Sequence, residues 1–222
     1  MASTLDDFTL GKTLGKGFSA VVKSARKQND KQDYAIKIFS LQGDQESQEQ
    51  IFQLYEDEKK AMQNMQEHSN IVRYFGGKDS STLIKGDGNA VKVCYLVFEA
   101  LPNGDLYDYI ADCGHFKASI VRLLARQLLF AVHSINMSDI SNRDLKLENI
   151  LIGSDYGIKI VDFGFATAIQ GSDGSGWNQS QLGTQSYMAP EIHLKQSYQG
   201  QLVDLFALGV IIFVLYTGAK PF

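Results

Sequence analysis

Fifteen consecutive residues, Leu202 to Tyr216, are apolar or glycine with the single exception of Asp204. A bilayer span needs roughly 20 such residues, and an aspartate is out of place in one. The run therefore reads as a helix apolar on all sides and buried at the centre of a protein, with a membrane span as the alternative. The rest of the chain has the means to bury it. Its 222 residues, 44% hydrophobic and 21% charged, describe a folded globular protein of one large domain or two small ones. Disorder is excluded as a whole-chain description.

The formal net charge of −4 argues against a broad surface for nucleic acid or anionic membrane, though a local basic pocket stays open. Cys94 and Cys113 are the only cysteines. Two without a framework suggest a reducing compartment and free thiols rather than a disulfide. Met1 to Leu10 carries Asp6 and Asp7 and has no basic-then-apolar cleavable segment. The expected location is the cytoplasm.

Hydrophobic patterning divides the chain in two. From Phe8 to Ile38 it is short, β-branched and punctuated by glycine, which predicts antiparallel strands. A polar stretch, Gln42 to Gln50, leads into Ile51, Leu54, Tyr55, Glu58, Met62 and Met65, whose spacing predicts one amphipathic helix. Strands return at Ile71 to Phe75 and Val91 to Phe98, with a loop or long hairpin from Gly76 to Asn89 between them. After Pro102-Asn103-Gly104 the pattern becomes helical: a short helix over Asp105 to Ala111, then a long one over Ser119 to Asn136. Ile120, Leu123, Leu124, Leu128, Ala131 and Ile135 give the long helix a buried stripe. The Pro-Asn-Gly step is the expected hinge. The glycine- and serine-rich segment Gly171 to Gly176 predicts a mobile loop.

Several polar residues sit where chemistry would explain them. Gly15-Lys16-Gly17 lies between two strands, where glycines let backbone N–H groups approach phosphate oxygens, although a plain hairpin turn accounts for them equally and Ala20 stands where a third glycine would complete the pattern. Lys37 lies inside the apolar strand Tyr34 to Ile38 and needs a partner or an anionic ligand. Glu58 on the next helix is such a partner, and a solvated edge lysine is the alternative. The strongest signal is Asn142-Arg143-Asp144-Leu145-Lys146-Leu147-Glu148-Asn149, followed by two short apolar strands around a turn at Gly153 to Gly157, and then Asp162-Phe163-Gly164. A two-stranded ribbon brings its ends together. Asp144, Asn149 and Asp162 would then converge, offering oxygen ligands suited to a hard cation that bridges phosphates. Asp144 could accept a hydroxyl proton, with Lys146 neutralising nearby oxygens.

These residues, in this order, resemble the eukaryotic protein kinase catalytic domain. The likeness runs from about Phe8 to Phe222 and includes Gly183-Thr184-Gln185-Ser186-Tyr187-Met188-Ala189-Pro190-Glu191 and Asp204 with Gly209. Lys146 and Thr184 are similar to the serine/threonine class, and the stretch from Asn103 to Ile110 to the calmodulin-dependent and AMP-activated-kinase-like group. The resemblance implies an α+β bilobal fold, with a β-rich lobe over about 8–100, a hinge at 99–104 and a helical lobe from 105. It implies ATP and magnesium as cofactors: Lys37 on the phosphates and held by Glu58, magnesium on Asn149 and Asp162, Asp144 deprotonating a serine or threonine hydroxyl of a protein substrate, Lys146 at the γ-phosphoryl group, and Thr184 bracing both. Adenine would lie among Val22, Ala35 and Leu151, beside Glu99 to Leu101 with Phe98 behind, and Asp105 would face the ribose. Asp204 would tie the buried helix to the catalytic loop, which explains the charge in the apolar run and supersedes the membrane reading.

The chain departs from the family pattern in places. Asn142 replaces a histidine that stacks under Phe163, so weaker support for that ring is expected. Arg143 could capture a phosphate on Ser180, yet Thr167 stands where a second basic contact often lies and no Lys or Arg occurs between Phe165 and Leu182; a plain flexible loop is the alternative. Asp105 and Glu148 could attract a basic residue N-terminal to the target hydroxyl. The family continues past Thr217 to Phe222 through further helices, so a C-terminally shortened domain is expected, with Leu205 to Tyr216 partly exposed and Glu191 unpaired. Two alternatives to a kinase remain: a catalytically impaired scaffold, and a small-molecule phosphotransferase of the same fold.

Overall fold

The computed structural model describes residues 2–28, 30–171 and 173–222. It divides into two compact units, one of residues 1–63 and 73–100, the other of residues 64–72 and 101–222.

The first unit is a closed antiparallel barrel of β1 (Thr4–Leu5), β2 (Phe8–Lys16), β3 (Ala20–Lys27), β4 (Asp33–Ser40), β5 (Tyr74–Ile84) and β6 (Ala90–Glu99), joined in the order β1-β2-β3-β4-β6-β5, with α1 (Gln45–Asn64). Period-two alternation in β4 sends Ile36 and Ile38 into the barrel with Phe8, Val93 and Val97. Lys37 and Phe39 point to the opposite face, where Phe39 meets Tyr55 of α1 edge to face, with ring centroids 5.6 Å apart. The helix begins at Gln45, six residues before the expected apolar stripe, because the Asp44 carboxylate accepts the Ser47 N–H at 2.9 Å and caps it. Its polar first turns face solvent and left no hydrophobic signal. Of the two readings of Gly76 to Asn89, a loop or a long hairpin, the hairpin holds. β5 runs on to Ile84 and pairs with β6 through two bulges, and only Leu83 within it is buried, which is why its sequence reads as polar.

The second unit holds α2 (Leu106–Cys113), α3 (Ala118–Met137), the strand pairs β7 (Ile140–Ser141) with β10 (Thr167–Ala168) and β8 (Ile150–Ile152) with β9 (Ile158–Ile160), a short α4 (Pro190–His193) and α5 (Gly200–Thr217). Residues 64–72 are sewn into it. The Asn70 amide donates to Gln127 Oε1 and to the Ile158 carbonyl, the Ile160 N–H returns to the Asn70 carbonyl, and the Val72 N–H bonds to the Ile160 carbonyl. By length and composition α3 and α5 could each cross a membrane; here they pack against each other. The buried stripe of α3 is Val121, Leu124, Leu128, Ala131, Val132 and Ile135, whereas Ile120 and Leu123, expected inside, are exposed. The helix carries apolar residues on nearly every side, so spacing alone could not choose its inward face. α5 buries Val203, Asp204, Ala207, Leu208, Ile211, Val214 and Leu215, and leaves Leu202, Leu205, Phe213 and Tyr216 exposed. Glu191 makes no ion pair among the described residues.

Candidate active site

The geometry of the Asn142–Asn149 loop starts from Asp204. Its two carboxylate oxygens accept the backbone N–H groups of Asn142 and Arg143, each at 2.7 Å, and the residue is 1% exposed. Burial pushes its carboxyl up to about 6, against the pull of those two N–H groups. Arg143 between them takes φ of 65°, a left-handed conformation that a non-glycine residue holds only when its surroundings fix it.

Asp144 follows, nearly buried, with its backbone N–H donating to Asn142 Oδ1 at 3.0 Å. Lys146 Nζ reaches Asp144 Oδ2 at 2.7 Å and the Thr184 hydroxyl at 2.9 Å, and that hydroxyl donates to Asp144 Oδ1 at 2.8 Å. Thr184 comes this close because Gly183, at φ of 115°, passes against the Arg143 carbonyl; a side chain there would stand 2.8 Å from that oxygen. Asn149 donates through Nδ2 to the Asp144 carbonyl at 3.0 Å, which leaves Oδ1 as the end of the amide not spent on the loop. Asp162 is exposed at φ of 63° and accepts the Gly164 N–H, while Phe163 beside it is buried. The β8–β9 ribbon joins these two segments as its sequence predicted. An amide oxygen and a carboxylate suit magnesium, which keeps waters and relies on substrate phosphates for its other ligands. The donor set therefore fits that ion.

Asn142 does more than its sequence context suggested. Its Nδ2 donates to the Asp162 carbonyl at 3.1 Å while its Oδ1 orders Asp144, so one amide joins the Asn142–Asn149 loop to the Asp-Phe-Gly turn by hydrogen bonds. Arg143 reaches the stretch after the Asp-Phe-Gly turn: Nε donates to the Phe165 carbonyl, and Nη1 to Ser180 Oγ at 2.8 Å and to Asn178 Oδ1 at 3.4 Å. Tyr198 holds the same stretch, its hydroxyl donating to the Ser180 carbonyl at 2.8 Å. Asn178 and Tyr198 fall outside every motif, and no sequence signal marks them. Of the expected loop Gly171 to Gly176, Ser172 lies outside the described residues; Gly171, Gly174 and Gly176 take positive φ, and Gly176 closes a turn onto Gln170.

In the first unit Lys37 is paired. Its Nζ lies 2.6 Å and 2.8 Å from the two oxygens of Glu58, itself 2% exposed, which answers the question of a solvated edge lysine. Gly15 and Lys16 pair with Val22 and Val21 across the β2–β3 hairpin, and the Gly17 N–H closes the turn onto the Ala20 carbonyl. A Cβ at Gly15 would meet nothing within 4 Å, so the protein's own packing does not demand glycine there. Ala35 pairs with Phe98 on β6, and the Glu99 carboxylate takes the Arg73 N–H. In the second unit Asp105 and Leu151 form a backbone bridge, and Asp105 Oδ1 caps α2 through the Asp108 N–H. Leu101 is half-buried.

A helix glutamate clamping a strand lysine, ahead of an acceptor loop and a metal-suited turn, is the layout of kinase-type phosphotransferases. The chain belongs to the protein kinase domain family, which it matches over residues 8–222. It is 32% identical over 217 residues to mouse (Mus musculus) serine/threonine-protein kinase SIK1, covering 97% of this chain and 25% of that one. It is 34% identical over 219 residues to CBL-interacting protein kinase 32 of rice (Oryza sativa subsp. japonica), covering 97% and 46%. Chicken (Gallus gallus) serine/threonine-protein kinase SIK2 is 31% identical over 217 residues. The chain thus spans a quarter to a half of the length of these relatives.

Proposed function

We propose that this chain transfers the γ-phosphate of ATP to serine or threonine hydroxyls of protein substrates. The observation that carries the reading is the Asp144, Lys146 and Thr184 triangle, in which a nearly buried carboxylate is held by an ammonium and a hydroxyl. Asp144 takes the hydroxyl proton of the substrate, and Lys146, already beside it, neutralises charge that develops on the transferred group. Lys37, fixed by Glu58, contacts the nucleotide phosphates, and the open space over Gly15 lets backbone N–H groups approach them. Asn149 and Asp162 carry the metal; magnesium–ATP, when bound, supplies the phosphoryl group. Val22, Ala35, Phe98, Glu99, Leu101 and Leu151 serve the adenine, and Asp105 the ribose. Magnesium-dependent ATP binding and transfer to a generic protein acceptor test this directly. Asp162→Ala is expected to remove transfer while the protein stays folded, and magnesium-dependent transfer that survives the substitution would count against the assignment.

The substrate is proposed to carry Arg or Lys N-terminal to the target residue. Glu148 Oε2 and the hydroxyl of neighbouring Tyr187 are buried, and burial first, then the Glu148 carboxylate, pushes the Tyr187 pKa up to about 12. A cationic side chain would satisfy such an acceptor. Ser180 is proposed as a regulatory phosphate acceptor, since a guanidinium already touches its hydroxyl. Ser180→Ala is expected to be several-fold less active than wild-type protein phosphorylated at Ser180, and equal turnover of the two would discount that role.

A further inference from the structure

The Lys37–Glu58 pair depends on α1 keeping its place against the sheet, and an acidic residue outside every motif grips that helix. Between Lys78 and Ser81 β5 advances three residues while β6 advances two, from Tyr95 to Val93. Such a bulge takes a side chain out of the regular alternation and re-aims it. Asp79 lies in it. Its Oδ1 accepts the Tyr55 hydroxyl at 2.6 Å and Lys59 Nζ at 2.7 Å, and both donors belong to α1. Tyr55 is fully buried, and Lys59 is also paired with Glu56 one turn back.

Tyr55 and Glu58 are three apart and share a helix face. Phe39 and Lys37 are two apart and share a strand face. The Phe39–Tyr55 ring contact and the Lys37–Glu58 ion pair are thus successive rungs between β4 and α1, and Asp79 fixes the first. The Asp79 side chain is 63% exposed, so this grip can be released without opening the core.

We propose that Asp79 is a positioning residue for the Lys37–Glu58 pair, setting the rotation of α1 through Tyr55 and Lys59. Its consequence for turnover rests on the kinase reading above; its consequence for Lys37 does not. Asp79→Asn and Tyr55→Phe weaken the grip with little change of shape, and Asp79→Glu keeps the charge. Asp79→Asn is expected to lower kcat/KM for ATP by roughly fivefold or more, the scale of couplings carried through a packed element, with KM for the protein substrate unchanged and Asp79→Glu recovering part of the loss. In a Lys37→Ala background, Asp79→Asn should leave magnesium–ATP affinity unaltered, because the pair it serves is gone. A fall in melting temperature with unchanged kinetics, or equal weakening of ATP binding with and without Lys37, would overturn the proposal.

The decisive measurement needs no turnover. The rate at which an amine-acylating reagent labels Lys37, read by mass spectrometry on the intact protein, should rise several-fold in Asp79→Asn and Tyr55→Phe, in the direction set by Glu58→Gln. An unchanged rate refutes the grip. A wild-type protein that transfers no phosphate would defeat the kinase reading instead, while the labelling rate still decides the role of Asp79.

Discussion

Asp144→Asn is expected to slow phosphoryl transfer by a factor of about 10² to 10⁴, the usual worth of a positioned proton acceptor, with the fold intact. The surrounding bonds explain why these effects separate. The amide that replaces the carboxylate can keep its oxygen toward Lys146 and turn its nitrogen to Thr184, whose hydroxyl then accepts instead of donating. The network survives and only the proton acceptor is lost. Single-turnover transfer alongside nucleotide affinity and thermal melting checks this, and near-normal transfer with this variant would remove Asp144 from the mechanism.

Asp204→Ala is the larger structural test. It leaves the N–H groups of Asn142 and Arg143 without acceptors, and each buried orphan costs about 1–3 kcal/mol. It also frees Arg143 from its left-handed conformation, so that the acceptor loop is no longer held. A loss of about 3 kcal/mol or more is expected, which for a chain of this size lowers the melting temperature by about 10 °C. Asp204 also gives a pH signature opposite to that of a salt-bridged carboxylate. Its folded pKa of about 6 lies above the ordinary value, so folding favours the protonated form. That contribution is full below about pH 4 and disappears as the pH rises through 6, a difference of about 3 kcal/mol. Relative to Asp204→Asn, the wild type should therefore gain stability between pH 7 and pH 5 in denaturant melts, and a loss over that interval would contradict the assignment.

Residues whose chemistry demands a fixed order were legible in the sequence. Lys37 in an apolar strand, Glu58 on the next helix, and the two polar segments on either side of a short ribbon all lie where their patterns placed them, because a buried charge and a tight hairpin each admit few arrangements. What stayed hidden was set by contacts that leave no pattern. The start of α1 rests on one side-chain cap, and the inward face of α3 was ambiguous because apolar residues surround it. Over Gly76 to Asn89 the sequence could not choose between a loop and the long hairpin that is there, because the exposed residues of β5 are polar and its pairing is broken by bulges. The bulge that aims Asp79 and the two-ended use of the Asn142 amide depend on register and orientation, which no spacing in the sequence encodes. Nor did any motif foretell the two-residue β1, which closes the barrel through Leu5 paired with both Phe8 and Leu83.

The stretch from Asn64 to Val72 bears on how this molecule could be taken apart. It belongs to the second unit, yet in the chain it falls between α1 and β5 of the first. Asn70 supplies hydrogen bonds to Gln127 and Ile158 from outside residues 101–222. A gene fragment opening at Leu101 would therefore encode a unit with part of its own fabric missing. The boundary that looks like a natural place to cut, the Pro-Asn-Gly step, is not a modular joint, and an exchange of halves with a relative would have to carry this nine-residue insert across with the helical half.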